Sequence, residues 1–190
     1  PAMQRDNVTL ETRPIERITS SGLITNDGVQ HEVDCIVFAT GFKSWDFLAP
    51  MTVLGREGKS LKDVWGDAPS AYLGMAIPQF PNLFLLYGPN TNLGHNSITF
   101  MLECQVHYVM KCIARMRKRK LCGLEVSAGA MTRYETKMLD EMQRTAWAGG
   151  CDSWYKRPDG RVINNWPTHT VAYWLRTRRP RWADFDAITQ

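Results

Sequence analysis

Residues 81 to 98 hold the densest set of groups able to meet a ligand: the apolar run Leu83-Phe84-Leu85-Leu86-Tyr87, the loop Gly88-Pro89-Asn90-Thr91-Asn92-Leu93-Gly94, then His95, Asn96 and Ser97. An apolar run bounded by Pro and Gly predicts a buried strand, and the pattern beginning near Ser97 predicts a helix. A strand feeding a glycine-containing loop and then a helix aims free backbone N–H groups above the strand's C-terminal end, where an anionic or electron-rich ligand would sit. Gly88 and Gly94 have five residues between them, which is neither G-x-G-x-x-G nor the phosphate-cradling G-x-x-x-x-G-K-[ST]. A tight connection whose glycines only satisfy backbone geometry is the competing explanation.

Two other constellations yield to plainer ones. His95 and Ser97 could pair a base with a hydroxyl, but no G-x-S-x-G elbow or orienting acid accompanies them, and Asn96 or Ser97 serves better as a helix cap. Cys104 and His107 stand three apart on one helix face, a spacing zinc can use, yet only two ligands are local, so no metal site is expected. The methionine-rich stripes are expected to fill the core.

A second segment, Val33-Asp34-Cys35-Ile36-Val37-Phe38-Ala39-Thr40-Gly41-Phe42, reads as a buried strand ending in small residues. With Gly88-Pro89-Asn90 it resembles the corresponding parts of the flavin-containing and Baeyer-Villiger monooxygenase superfamily. In that superfamily an A-T-G-F sequence links two nucleotide domains, and a strand, a G-P-x loop and a long helix complete the flavin site. Ala148-Gly149-Gly150-Cys151-Asp152-Ser153-Trp154-Tyr155 and Asn165-Trp166-Pro167 are similar to the C-terminal loop of the ketone-oxidising branch. The motifs come in the family's order and span most of residues 8–186. The family's two G-x-G-x-x-G motifs and its intervening fingerprint are absent, so the chain looks like the C-terminal portion of a longer polypeptide.

The resemblance implies an α/β fold: the end of a two-dinucleotide-binding-domain flavoprotein with a β-meander, a parallel strand, two long helices and an irregular aromatic tail. It implies FAD and NADP as cofactors, and contacts to them from Ala39, Thr40, Gly41, Phe42, Gly88, Pro89, Asn90, Thr91, Asn92, Leu93, Gly94, Ser97 and Trp154. The N-terminus of the helix after the loop would face the pyrimidine edge of the flavin, where the positive end of the helix dipole favours negative charge. Trp154 would lie in a loop closing over NADP; a hydrophobic plug is the alternative. The implied activity is insertion of one oxygen atom from O2 into an organic substrate, a ketone being favoured by the Ser-Trp-Tyr and Trp-Pro tail. The family's key arginine lies upstream, so no catalytic residue is assigned, and the fragment alone is expected to be inactive. Nitrogen or sulfur oxygenation, a disulfide-reductase-like flavoprotein and a non-catalytic interaction domain that kept the fold remain open.

The elements that must position these residues follow from pattern. Val8–Thr12, Ile15–Thr19, Leu23–Thr25 and Val29–Ala39 are strand-like, and Asn26-Asp27-Gly28 is a hairpin signal. A short helix is predicted at Leu61–Trp65 and a strand at Tyr72–Ile77. Ile98, Met101/Leu102, Gln105/Val106, Val109, Ile113 and Met116 step at three and four, predicting a long helix with one apolar stripe. Thr132-Arg133-Tyr134-Glu135 matches the capping box T-x-x-E and predicts a second helix, with Tyr134, Met138, Met142 and Ala146 on its stripe. The expected organisation is a meander and linker strand over 1–43, the end of a flavin domain over 44–147 and a lid-like tail over 148–190.

The chain has 190 residues, 44% of them hydrophobic, enough for a globular core. No run approaches the roughly 18 apolar residues of a membrane span. Five cysteines with no C-x-x-C pair read as free thiols in a reducing cytoplasm. The net charge of +4 is mild, with basic residues gathered in Arg115–Lys120 and Arg176–Arg181. The first suits the end of a helix and the second a solvated tail, so nucleic acid is not an expected partner. The partners expected are a small organic substrate and the N-terminal half of the same protein.

Overall fold

The computed structural model describes residues 2–41, 44–149, 155–157 and 159–189. Contacts divide the chain into two compact units, Pro1–Gly41 and Phe42–Gln190.

The first unit is an antiparallel meander of β1 (Ile15–Thr19), β2 (Gly22–Thr25) and β3 (Gln30–Glu32). Its registers set Thr19 opposite Gly22 and Leu23 opposite His31. Only glycine fits at 22, because a Cβ there would lie 2.0 Å from the His31 carbonyl oxygen. The Asp27-Gly28 turn forms as predicted: Gly28 takes φ +82° and donates to the Thr25 carbonyl at 2.8 Å, while the buried Thr25 hydroxyl donates to Asp27 Oδ1 at 2.6 Å. Arg13 pairs with both Glu11 and Asp27.

Beyond β3 the predicted strand over 33–42 does not form a ladder among the described residues, and Val37 and Phe38 are 83% and 71% exposed. Val8–Thr12 likewise joins no strand, and neither does the apolar run 83–87 of the second unit. A strand is held by repeated bonds along its edges, and these runs have only isolated ones, such as Val33 N–H to the Ser21 carbonyl at 3.1 Å and Leu85 N–H to the Met75 carbonyl at 2.8 Å.

The second unit is built from α1 (Leu61–Trp65), α2 (Ile98–Arg119), β4 (Gly123–Val126), α3 (Ala128–Gln143), α4 (Thr170–Thr177) and β5 (Phe185–Ile188). The helix α1 has the predicted bounds and buries Leu61 and Trp65 with Ala71, Ile77, Phe80 and Leu85. The segment Tyr72–Ile77 is a tight turn rather than a strand, with Tyr72 bridged to Ala76. The helix α2 runs as the periodicity predicts, and Ser97 caps it by accepting from the Phe100 N–H at 3.4 Å. Its buried face, however, is Met101, Cys104, Gln105, Tyr108 and Cys112, while Val106 and Ile113 are 46% and 39% exposed. Apolar side chains occupy two faces of α2; the face with the small thiols is the one that packs.

The second long helix starts five residues earlier than the capping box predicts. Ser127 is the cap of α3, accepting from Ala130 N–H at 3.2 Å, and the Thr132 hydroxyl instead donates back to the Ala128 carbonyl at 3.1 Å. The tail is more ordered than its composition suggests. Trp166 and Tyr173 are 1% and 0% exposed and meet edge to face at 4.9 Å between centroids, and β5 pairs antiparallel with β4, setting Phe185 opposite Val126. Buried Asp184 accepts from Tyr72 Oη at 2.7 Å and from Arg133 Nη2 at 3.0 Å, tying the tail to the loop before the site and to α3.

Candidate functional site

The loop from Tyr87 to Ser97 divides into a buried half and an exposed half. Gly88, Pro89, Thr91 and Leu93 are buried, whereas Gly94, His95, Asn96 and Ser97 are exposed. The buried half crosses the 73–74 turn so closely that side chains are excluded: a Cβ on Gly88 would sit 2.3 Å from the Gly74 carbonyl oxygen, and one on Gly74 would sit 2.1 Å from Thr91 Cγ2. The Thr91 hydroxyl donates to the Gly88 carbonyl at 2.7 Å and closes the turn. Asn90 adopts φ 57°, a left-handed conformation that Asn tolerates better than most residues.

Residues 162–166 lie alongside this loop in parallel. Asn90 N–H donates to the Ile163 carbonyl at 2.8 Å, Asn92 N–H to Asn164 at 2.9 Å, and Trp166 N–H back to Asn92 at 2.8 Å. Side chains reinforce the pairing: Asn90 Nδ2 donates to the carbonyls of Val162 and Asn165 at 3.2 and 3.1 Å, and Asn92 Nδ2 to Asn165 Oδ1 at 2.8 Å. Beneath them, fully buried Gln105 of α2 accepts from Tyr87 N–H at 2.9 Å and donates to Tyr173 Oη at 3.0 Å, and Tyr173 donates to the Leu73 carbonyl at 2.8 Å. Loop, helix and tail are thus locked by a connected set of hydrogen bonds.

The exposed half leads into α2. Asn96 Oδ1 accepts from Ser97 N–H at 2.7 Å, and Asn96 Nδ2 donates to Thr170 Oγ1 at 3.1 Å, fixing the approach of α4 to the helix start. Gly94 lies against the Trp147 ring, where a Cβ would approach two ring carbons at 2.7 Å. A cleft of about 280 Å³ opens beside the loop, lined by Ser44, Phe47, Tyr87, Gly88, Asn92, Tyr155 and Asn164. A larger one of about 760 Å³, between the 45–53 segment and α1, shares only Phe47 with it.

No protein-family model matches the chain. It is 41% identical over 189 residues to an FAD-binding monooxygenase, ktnD, of Aspergillus niger, covering 97% of this chain and 31% of that protein. It is also 41% identical over 189 residues to a Baeyer-Villiger monooxygenase of Pseudomonas aeruginosa, covering 98% of this chain and 35% of the relative. The cyclohexanone monooxygenase of Rhodococcus sp. Phi1 bound to NADP+ superposes with a TM-score of 0.83 at 26% identity, covering all of this chain and 37% of that one. The chain belongs to the flavin-containing and Baeyer-Villiger monooxygenase superfamily. It spans about a third of the length of the curated relatives it matches.

Within this superfamily member, Gly88, Pro89, Asn90, Thr91, Asn92, Leu93, Gly94 and Ser97 form one continuous feature. Ala39, Thr40 and Gly41 belong to the first unit and are exposed. Phe42 and Trp154 lie outside the described residues, as do Gly150–Ser153. Sequence reasoning missed Gln105, Asn164 and the hydrogen bonds of Asn165. Only Asn165 carried a signal, through the Asn165-Trp166-Pro167 motif. Gln105 read as part of an apolar stripe.

Burial, with the neighbouring Tyr155 phenol adding to it, raises the Tyr87 pKa, so Tyr87 stays a hydrogen-bond donor to Asn92 Oδ1 at 2.8 Å. Burial pushes the Cys112 thiol up to about 12 and raises Cys104 as well, leaving both unreactive. His107 is exposed while Cys104 is buried, and no group of three or more His, Cys, Asp or Glu able to hold a metal ion occurs among the described residues.

Proposed function

We propose that this chain is part of an FAD- and NADPH-dependent monooxygenase that inserts one oxygen atom from O2 into an organic substrate, by Baeyer-Villiger oxidation of a ketone. The observation that carries this reading is 41% identity along nearly the whole chain to a Baeyer-Villiger monooxygenase, supported by the likeness to NADP-bound cyclohexanone and steroid monooxygenases.

The loop residues fit a flavin edge. Gly94 to Ser97 form an exposed rim at the start of a 22-residue helix, whose first-turn N–H groups have no acceptor within the helix beyond what Ser97 supplies to Phe100. The glycine at the rim lets the Trp147 ring lie against backbone, and the helix dipole favours an electron-rich edge at the helix start. FAD, when bound, would supply the redox and oxygen chemistry. Gly94, Asn96 and Ser97 would hold its ring, while Asn90, Thr91 and Asn92 keep the loop rigid from behind. Trp154, with Tyr155 beside it, would close over NADP and exclude water.

The remainder of the polypeptide is the partner that covers Val37 and Phe38 of the first unit and Leu86, Val106 and Met110 of the second, all more than 40% exposed. The enzyme would work in the cytoplasm; no helix among the described residues is long and apolar enough to cross a membrane. To test the function, the protein with its complete natural chain is purified and supplied with NADPH, O2 and a cyclic ketone or a sulfide. A yellow protein that converts ketone to lactone with label from ¹⁸O2 is expected. A flavin-free protein, or a flavoprotein that oxygenates only the sulfide, would overturn the ketone reading.

A further inference from the structure

The two basic runs, read from sequence as unrelated helix-end and tail features, converge on one surface. Helices α2 and α4 pack side by side, Lys111 Nζ donates to the Arg178 carbonyl at 2.5 Å, and the Arg115 guanidinium lies 4.2 Å from the Trp182 ring centroid. Lys111, Arg115 and Lys118 step at four and three and share that side of α2. Arg178, Arg179 and Arg181 continue the surface beyond α4, and Lys118, Arg178, Arg179 and Arg181 are exposed. Two carboxylates of the neighbouring elements are already committed: Glu141 to Arg176 at 2.5 Å, and Asp184 to Tyr72 and Arg133, with Arg181 reaching it only at 3.8 Å.

Beside these cations α4 shows an apolar face. It buries Thr170, Tyr173 and Thr177, and leaves Val171, Trp174 and Leu175 exposed at 62%, 44% and 49%. The Arg178 guanidinium stands 5.5 Å from the Trp174 ring centroid. An aromatic and two aliphatic side chains on the helix that leads into Arg178, Arg179 and Arg181 match the boundary between lipid headgroups and acyl chains, where rings and methyl groups enter and cations meet phosphate. Nucleic acid would use the cations and Trp174 but gains nothing from Val171 and Leu175.

We infer that the exposed face of α4, with Lys111, Arg115 and Lys118 of α2, is a peripheral docking surface for an anionic lipid bilayer. The test is sedimentation of the complete protein with vesicles of phosphatidylcholine alone, or containing 30% phosphatidylserine, at low and physiological salt. Binding to the anionic vesicles alone is expected, weakening with salt. Arg178→Glu with Arg179→Glu should lower partitioning at least about 25-fold, from roughly five-fold per cation. Trp174→Ser with Leu175→Ser should remove the binding that survives salt. Unchanged circular dichroism shows that a variant is folded; if the double charge reversal does not fold, Lys118→Glu, at an exposed helix end, serves in its place with about a five-fold loss. Equal binding to both vesicle types, no sedimentation of the complete protein, folded charge variants that bind like the parent, or tighter binding to duplex DNA than to the anionic vesicles would each overturn the proposal.

Discussion

Asn90 separates a structural role of the loop from a ligand-contact role. Its side chain donates at 3.2 and 3.1 Å to two carbonyls of the tail, and its backbone stands at φ 57°. Asn90→Ala removes both hydrogen bonds, each contributing about 0.5–1.5 kcal/mol, and places Ala in a left-handed conformation costing roughly 1–2 kcal/mol. The expected loss is therefore about 2–5 kcal/mol. Asn90→Gly removes the hydrogen bonds without the conformational cost, so it should lose about 1–3 kcal/mol. In urea unfolding followed by tryptophan fluorescence, to which buried Trp166 contributes, a slope near 2–3 kcal/mol per M places the Ala midpoint about 1–2 M below the parent. The Gly variant should fall between them. The losses should be the same with flavin removed. Equal midpoints for Ala and Gly would refute the left-handed strain; parent-like midpoints for both would refute the tether and leave Asn90 free to meet a ligand.

Ser127→Ala should destabilise the chain by about 1 kcal/mol, whereas Thr132→Ala should change stability by less than about 0.5 kcal/mol, both read by thermal unfolding; the reverse order would restore the capping-box start of α3. With a thiol reagent at pH 8, exposed Cys35 and Cys122 should react quickly while Cys104 and Cys112 react only on unfolding. Because Cys112 is pushed up to about 12, raising the pH to 9.5 should leave it protected, and mass spectrometry locating rapid label there would contradict its burial. Gly94→Val in the complete protein should displace the Trp147 ring, 2.7 Å from the added Cβ, and lower flavin occupancy several-fold. Unchanged flavin content and reduction rate would make this rim a simple connection.

Local pattern was enough to read the Asp27-Gly28 hairpin, the bounds of α1 and the run of α2 from its Ser97 cap, and three motifs in the family's order carried the superfamily. The hairpin and the two helices depend on residues a few positions apart, whose backbone preferences act before any distant segment arrives. Features that depend on distant partners emerged only once the chain was folded. Two faces of α2 are apolar, and packing selected the buried one: Tyr108 and Cys112 against β4 and the start of α3, Met101 and Cys104 against Met138, Trp166 and Tyr173. Ser127 displaced the Thr132 capping box because α3 begins where the chain leaves β4, and β4 itself exists only because β5 returns from the tail to pair with it. The asparagines at 90 and 92 could have faced a ligand or the protein; the parallel approach of residues 162–166, more than seventy positions away, supplied the carbonyls and the amide oxygen that took their hydrogens. Buried polar groups must be satisfied by whatever segment is near in space, and spacing along the chain does not encode that segment.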